Sequence, residues 1–219
     1  MCNQRAYNKV KLPIDFSSQS YFDMSDDVLE LLDTLALDKV ALCGHSMGGK
    51  TAMVFSLLHP ERVSKLAILD IIPRTYTHSH APFLDALLQI DLSQLGSRSD
   101  ADKALRSAIP DTGTRLFLLQ SLTGNAKNYQ WRLNLSVLQR EMQKIVGFPS
   151  DELEGCSNSV ETTVIFGDNS TYVKGQDLTL LTKFFPQADL TSISNAGHWL
   201  HVEQPKLVLD ALQTFLQKK

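Results

Sequence analysis

Cysteine is scarce in this 219-residue chain: only Cys2, Cys43 and Cys156 occur, an odd number and far apart. That argues against a disulfide framework and offers no metal-ligand spacing, so no metal is expected. It suits a reducing, cytoplasmic-type compartment, and organelle import stays compatible if a transit peptide lies upstream of Met1. Basic runs are also lacking. With a formal charge of −3 and a pI near 6.0, there is no electrostatic case for nucleic acid or an anionic membrane. No apolar stretch approaches the ~18 residues that span a bilayer. The opening "MCNQRAYNKVKL" has charge but no apolar run behind it, so it does not read as a secretory signal. Repeats, low-complexity tracts and long Gly/Ser linkers are absent too.

What is present is a chain with 43% apolar residues, enough to bury one sizeable core, and one domain over residues 1–219 is the expectation. "SYFDMSDDVLELLDTLAL" reads as a helix, with Ser20 and Asp23 as a capping box. Its Val28, Leu31, Leu32 and Leu35 fall at helical spacing. "KVALCG" (39–44) is a short apolar run, the pattern of a strand covered on both faces. "GGKTAMVFSLLHPERV" is a second helix stopped near Pro60, and "KLAILD" (65–70) a second buried strand. Helix, strand, helix, strand predicts an α/β parallel sheet. From Ile71 to about Ser150 strands stop, and "APFLDALLQI", "DADKALRSAI", "TRLFLLQSL" and "LSVLQREMQKIV" read as short amphipathic helices. The α/β pattern resumes in "ETTVIFG", "DLTLLTKFF", "ADLTSIS" and "QPKLVLDALQTFLQ". The core is therefore expected at about 20–73 and 158–219, with a helical cap inserted at about 74–157.

Gly44-His45-Ser46-Met47-Gly48 matches G-x-S-x-G, with an apolar strand before it and a helix after it. In such a turn the serine takes strained backbone angles. Glycines two positions either side let strand and helix approach. The Ser46 side chain then projects above the strand end, and the Met47 N–H at the helix start can donate to an oxyanion. The general base is expected late in the chain. In "SISNAGHWLHVEQP", His198 follows the last strand directly and is preferred over His201, three residues on. His45 occupies the variable position of the motif and His59 a helix end. His78 and His80 form an H-x-H without a third ligand at suitable spacing.

Taken together, "GHSMGGKTAM", "LAILDIIP", "WRLN", "FGDNSTYV" and "NAGHWLHVEQP" resemble the α/β-hydrolase family, and within it the small YbfF-type esterases and relatives containing abhydrolase domain 11. The resemblance runs from about Ser20 onward. It implies a mostly parallel sheet with flanking helices and a serine hydrolase that cleaves small acyl esters or thioesters through an acyl-enzyme, with no cofactor. The family's usual acid position, after the strand before the last, here holds Ser170 in "FGDNSTYV". The resemblance to the YbfF type instead places the acid at Asp70, ending "LAILD", with Ser170 as an auxiliary hydrogen-bonding partner. Asp168 is the competing acid, and a loop-entry carboxylate capping local N–H groups is the plainer alternative for Asp70.

Trp131 and Arg132 either shape the acyl pocket or pack the cap, and Phe83, Leu84, Leu87 and Leu88 read more simply as core. Against the family pattern the chain lacks the strands before Ser20 and the H-G loop carrying a second oxyanion donor. "NQRAYNKVKL" has Asn3, Asn8 and Val10 where the family's loop has Asp, Gly and Ser. The expectation is an N-terminally incomplete fold. The Lys39–Cys43 strand would then expose an edge open to self-association. The alternative function is a truncated, non-catalytic remnant acting as a binding protein.

Overall fold

A computed structural model describes residues 18–77, 81–126, 128–174 and 177–218. The expectations for Asn3, Asn8, Val10, His78 and His80 fall outside these residues. The chain divides into two compact units, one of Tyr21–Thr75 with Gly147–Lys219 and one containing Tyr76–Val146.

In the first unit, helix α1 (Tyr21–Thr34) starts directly after Ser20. It buries Tyr21, Met24, Val28 and Leu32, a 3-4-4 spacing that gives one apolar stripe. Leu35, expected on that stripe, lies beyond the helix end and is exposed. Strand β1 (Val40–His45) leads through Ser46 into helix α2 (Met47–Leu58), and strand β2 (Val63–Leu69) follows. After the second unit come strand β5 (Glu161–Gly167), helix α8 (Leu178–Phe184), strand β6 (Ala188–Ile193), and helices α9 (Leu200–Glu203) and α10 (Pro205–Gln217). The four strands form one parallel sheet in the order β1-β2-β5-β6.

The burial follows from that order. Leu66, Ala67 and Ile68 of β2 are almost wholly buried, as expected of a central parallel strand covered on both faces. β1 departs from the same expectation. Ala41 and Cys43 are exposed, because among the described residues β1 has one strand neighbour and forms the sheet edge. Helix α2 is buried from Gly49 to Leu57, with Lys50, Thr51 and Ser56 enclosed among its apolar residues, so it has no solvent-facing polar stripe. Its Thr51 hydroxyl donates to the Met24 sulfur at 3.5 Å, joining α1 to α2. Leu69, Ile165, Ile193, Leu200 and Val208 pack the sheet to the last two helices.

The second unit carries helices α3 (Ala81–Leu88), α4 (Arg98–Leu105), α5 (Thr112–Leu119), α6 (Leu135–Arg140) and α7 (Met142–Val146). Side chains cap three of them: Ser97 accepts from Asp100 N–H, Asp111 from Thr114 N–H, and Asn134 from Val137 N–H. The segment is not all-helical, as the sequence pattern suggested. A two-stranded antiparallel ribbon pairs β3 (Leu122–Thr123) with β4 (Gln130–Trp131), strands too short to leave a period-two signal. Leu84 and Leu87 join the unit's own apolar core, Phe83 and Trp131 pack against it, and Leu88 is exposed.

The return to the first unit comes at Gly147 rather than near 158. Long-range contacts fix it there. The Lys50 amino group donates to the Gly147 carbonyl at 2.6 Å, and the Phe148 ring meets Phe184 edge-on at 5.6 Å. The Asn158 amide donates to the Ser56 carbonyl at 2.7 Å.

Candidate active site

A parallel sheet delivers the carboxyl ends of all its strands to one edge. Ser46 follows β1, Asp70 follows β2, Gly167 to Ser170 follow β5, and His198 lies in the loop after β6. The register keeps these ends level: His45 pairs with Leu69, Leu69 with Ile165, and Gly167 with Ile193. Four segments far apart in sequence therefore meet at one edge of the first unit.

Ser46 sits at φ 52°, ψ −119°, a conformation L-residues rarely adopt. Its N–H donates to the Leu69 carbonyl at 3.0 Å, and its carbonyl accepts from Gly49 and Lys50 N–H groups, opening α2. The tight turn depends on two glycines. A Cβ on Gly44 would lie 2.2 Å from the Gly48 carbonyl oxygen, and one on Gly49 would lie 2.6 Å from an Ile71 methyl. Gly48, expected to serve close approach, has open space where a Cβ would stand. The crowding falls one residue later because Gly49 faces Ile68 and Ile71. Met47 is the first residue of α2, where backbone N–H groups and the helix dipole favour negative charge.

The serine hydroxyl lies 3.1 Å from His198 Nε2, and His198 Nδ1 lies 2.7 Å from Asp70 Oδ2. Asp70 is fully buried, and at φ 50° its backbone is strained like that of Ser46. The Ser170 hydroxyl donates to Asp70 Oδ2 at 2.5 Å, and Gly167 N–H donates to Oδ1 at 3.2 Å. Both carboxylate oxygens are thus engaged, which holds Asp70 in one orientation. Gly167 admits the histidine loop, since a Cβ there would meet the Ala196 carbonyl oxygen at 2.2 Å. Asp168, the competing acid, accepts from Ala196 N–H at 3.4 Å and ties down the root of the histidine loop. Of the predicted residues, the structure brings together Ser46, His198, Asp70 and Ser170, with Met47 beside the serine.

Two neighbours were not legible as site residues. His45 lies 2.8 Å through Nε2 from the His198 carbonyl. Burial lowers its pKa to about 4, helped by His198 and His201 and opposed by that hydrogen bond and by Asp70. It is therefore neutral near pH 7, with Nε2–H donating to the carbonyl and Nδ1 left as acceptor. Tyr172 stacks on the His198 ring, with centroids 3.8 Å apart and planes 15° from parallel. The one sequence hint of His45 was a ring-bearing residue beside the nucleophile. His201 lies 4.6 Å from the His45 ring, and burial followed by the His198 charge depresses its pKa. Among the described residues no group of three or more His, Cys, Asp or Glu side chains could hold a metal ion, and no helix is long and apolar enough to cross a membrane.

A serine in a strained strand-to-helix turn, with histidine and a buried carboxylate on the next strand ends, is a fold-level pattern. Residues 4–205 match the family model described as alpha/beta hydrolase fold. This chain belongs to the α/β-hydrolase family. The family includes a mouse protein named sn-1-specific diacylglycerol lipase ABHD11, 38% identical over 203 residues covering 90% of this chain and 65% of that protein. It also includes Esterase YbfF of Escherichia coli, 33% identical, covering 90% of this chain and 75% of that one. A solved structure described as a marine microorganism esterase superposes with a TM-score of 0.85 at 32% identity, over 96% of this chain and 82% of the other. The chain spans a little under two thirds of the mouse protein and 63% of its zebrafish counterpart.

Proposed function

We propose that this chain is a serine hydrolase that cleaves carboxylic esters, thioesters included, through an acyl-enzyme on Ser46. The observation that carries the reading is the unbroken hydrogen-bonded series Ser46–His198–Asp70 at the carboxyl edge of the sheet. His198 Nε2 takes the Ser46 proton as Oγ attacks the ester carbonyl, and the Met47 N–H donates to the oxyanion that forms. The imidazolium then gives its proton to the departing alcohol or thiol. In the second half water attacks the acyl-enzyme, His198 again accepts the proton, and Ser46 leaves as the free hydroxyl.

Asp70 holds the imidazole through Nδ1–H and stabilises it when charged. Ser170 occupies the second lone-pair site on Asp70 Oδ2 and so helps fix the carboxylate. The names of the relatives, an esterase and a diacylglycerol lipase, support acyl glycerides and simple esters as the first substrates to try. The test is fluorophosphonate labelling of the wild-type chain and Ser46→Ala. Labelling of wild type alone is the expected result. Absence of labelling in both would favour the alternative of a non-catalytic binding protein.

A further inference from the structure

The least explained contact at the site is the Tyr172 ring on His198. Two neutral aromatic rings avoid a face-to-face sandwich and prefer offset or edge-on arrangements with centroids about 4.5–7 Å apart. Tyr172 and His198 instead lie nearly parallel at 3.8 Å. That geometry suits a ring that becomes a cation lying over the face of a neutral phenol.

The placement of Tyr172 is built rather than incidental. Its N–H donates to the Ser170 hydroxyl oxygen at 3.1 Å, so the residue that orients Asp70 also holds the Tyr172 backbone. Its carbonyl accepts from Arg74 at 3.3 Å, and Arg74 pairs with the buried Asp177 at 3.5 Å. The phenol is kept neutral, since burial and then the Asp70 charge both push its pKa up.

We propose that Tyr172 is a positioning residue whose ring holds the His198 imidazole flat and stabilises its protonated form during acyl transfer. The proposal rests on the serine-hydrolase reading of the same site. The titratable groups around His198 are Asp70 from the end of β2, His45 from β1, Tyr172 from the loop after β5, and His201 from α9, with Glu203 acting on His201. Asp70 binds Nδ1, His45 is neutral and bound to the His198 carbonyl, and Glu203 accepts from Gly197 N–H at 2.7 Å. Tyr172 is the neighbour that covers the imidazole face in parallel.

The prediction separates charge stabilisation from mere packing. If the ring favours imidazolium, removing it lowers the rate where free His198 is neutral and changes nothing where it is already protonated. A cation–π contact of this kind corresponds to about a two- to thirty-fold loss on the pH plateau and a midpoint of the pH–rate profile moved down by about 0.4–1.5 pH units. The two rate profiles then converge at acid pH. Tyr172→Leu is the test variant, because Leu retains apolar cover and loses the π face, while Tyr172→Phe retains the face.

Esterase or fluorophosphonate rates across pH are measured for the full chain and both variants, with an NMR titration of the His198 ring alongside. The expected result is convergence for Tyr172→Leu, a lowered NMR midpoint, and near wild-type behaviour of Tyr172→Phe. An equal loss at every pH, an unmoved or raised midpoint in Tyr172→Leu, or a Phe variant as impaired as Leu would overturn the proposal. The NMR titration needs no turnover. A wild type that labels nowhere therefore refutes the hydrolase reading while the midpoint still decides the role of Tyr172.

Discussion

Replacing Asp70 with Asn puts the identity of the acid to its sharpest test. Asp70 is fully buried, with Oδ2 facing His198 Nδ1 and the Ser170 hydroxyl, and Oδ1 facing Gly167 N–H. An amide cannot satisfy all three. With its NH2 at the Oδ2 position it drives His198 to carry its proton on Nε2, which then cannot accept from Ser46. Turned over, the NH2 opposes Gly167 N–H, donor against donor.

The wrong tautomer costs about 10⁴ in kcat where this substitution has been made in a serine triad, close to 5 kcal/mol of barrier. The unsatisfied buried group costs about 1–3 kcal/mol of stability, against a typical total of about 5–15 kcal/mol, so folded protein remains to be assayed. Asp168→Asn is the partner experiment. Its Oδ1 receives one long bond from Ala196 N–H, which an amide oxygen can still accept, and a loss below about tenfold is expected. Hydrolysis of a short-chain p-nitrophenyl ester, with urea unfolding to count folded protein, reads both variants. If Asp70→Asn keeps a tenth of the wild-type rate while Asp168→Asn is inactive, the assignment of the acid is wrong.

Lys50 gives a prediction about pH and stability. Burial, with Arg74 adding to it, lowers the Lys50 pKa from 10.5 to about 7. Between those values the unfolded chain binds the extra proton, so this residue's contribution to stability rises with pH by up to ~1.4 kcal/mol per unit and is smallest below pH 7. Urea unfolding of wild type and Lys50→Met should show the difference moving in favour of wild type from pH 7 to 9; a flat or shrinking difference contradicts the shift. Gly167→Ala would push a Cβ to 2.2 Å from the Ala196 carbonyl oxygen and displace the loop carrying His198. A displacement of about 1 Å costs about 10² in rate, whereas Gly48→Ala enters open space and should stay within a few-fold in the same ester assay.

What could be read from the sequence was whatever a local pattern encodes. The apolar run, sharp turn and helix around Ser46 are contiguous, and β2 ends at Leu69, directly before Asp70. The β6 loop begins just before His198. Parallel pairing then makes their convergence nearly automatic, because a sheet with level registers sends every strand's carboxyl end to one edge. The misses are contacts across long stretches of chain. His45 bonds a carbonyl 153 residues away, and Lys50 fixes the return at Gly147 from 97 residues away. Neither distance has a periodicity to betray it. Gly49 rather than Gly48 proved crowded because Ile68 and Ile71 approach it, side chains whose direction is settled only once β2 lies beside α2. The auxiliary residues are therefore the informative ones. The proposed triad could be found strand by strand, but Tyr172 on the His198 ring, His45 on its carbonyl and Ser170 on Asp70 come from the ends of two strands, β5 and β1, and those groups belong together only in the folded sheet.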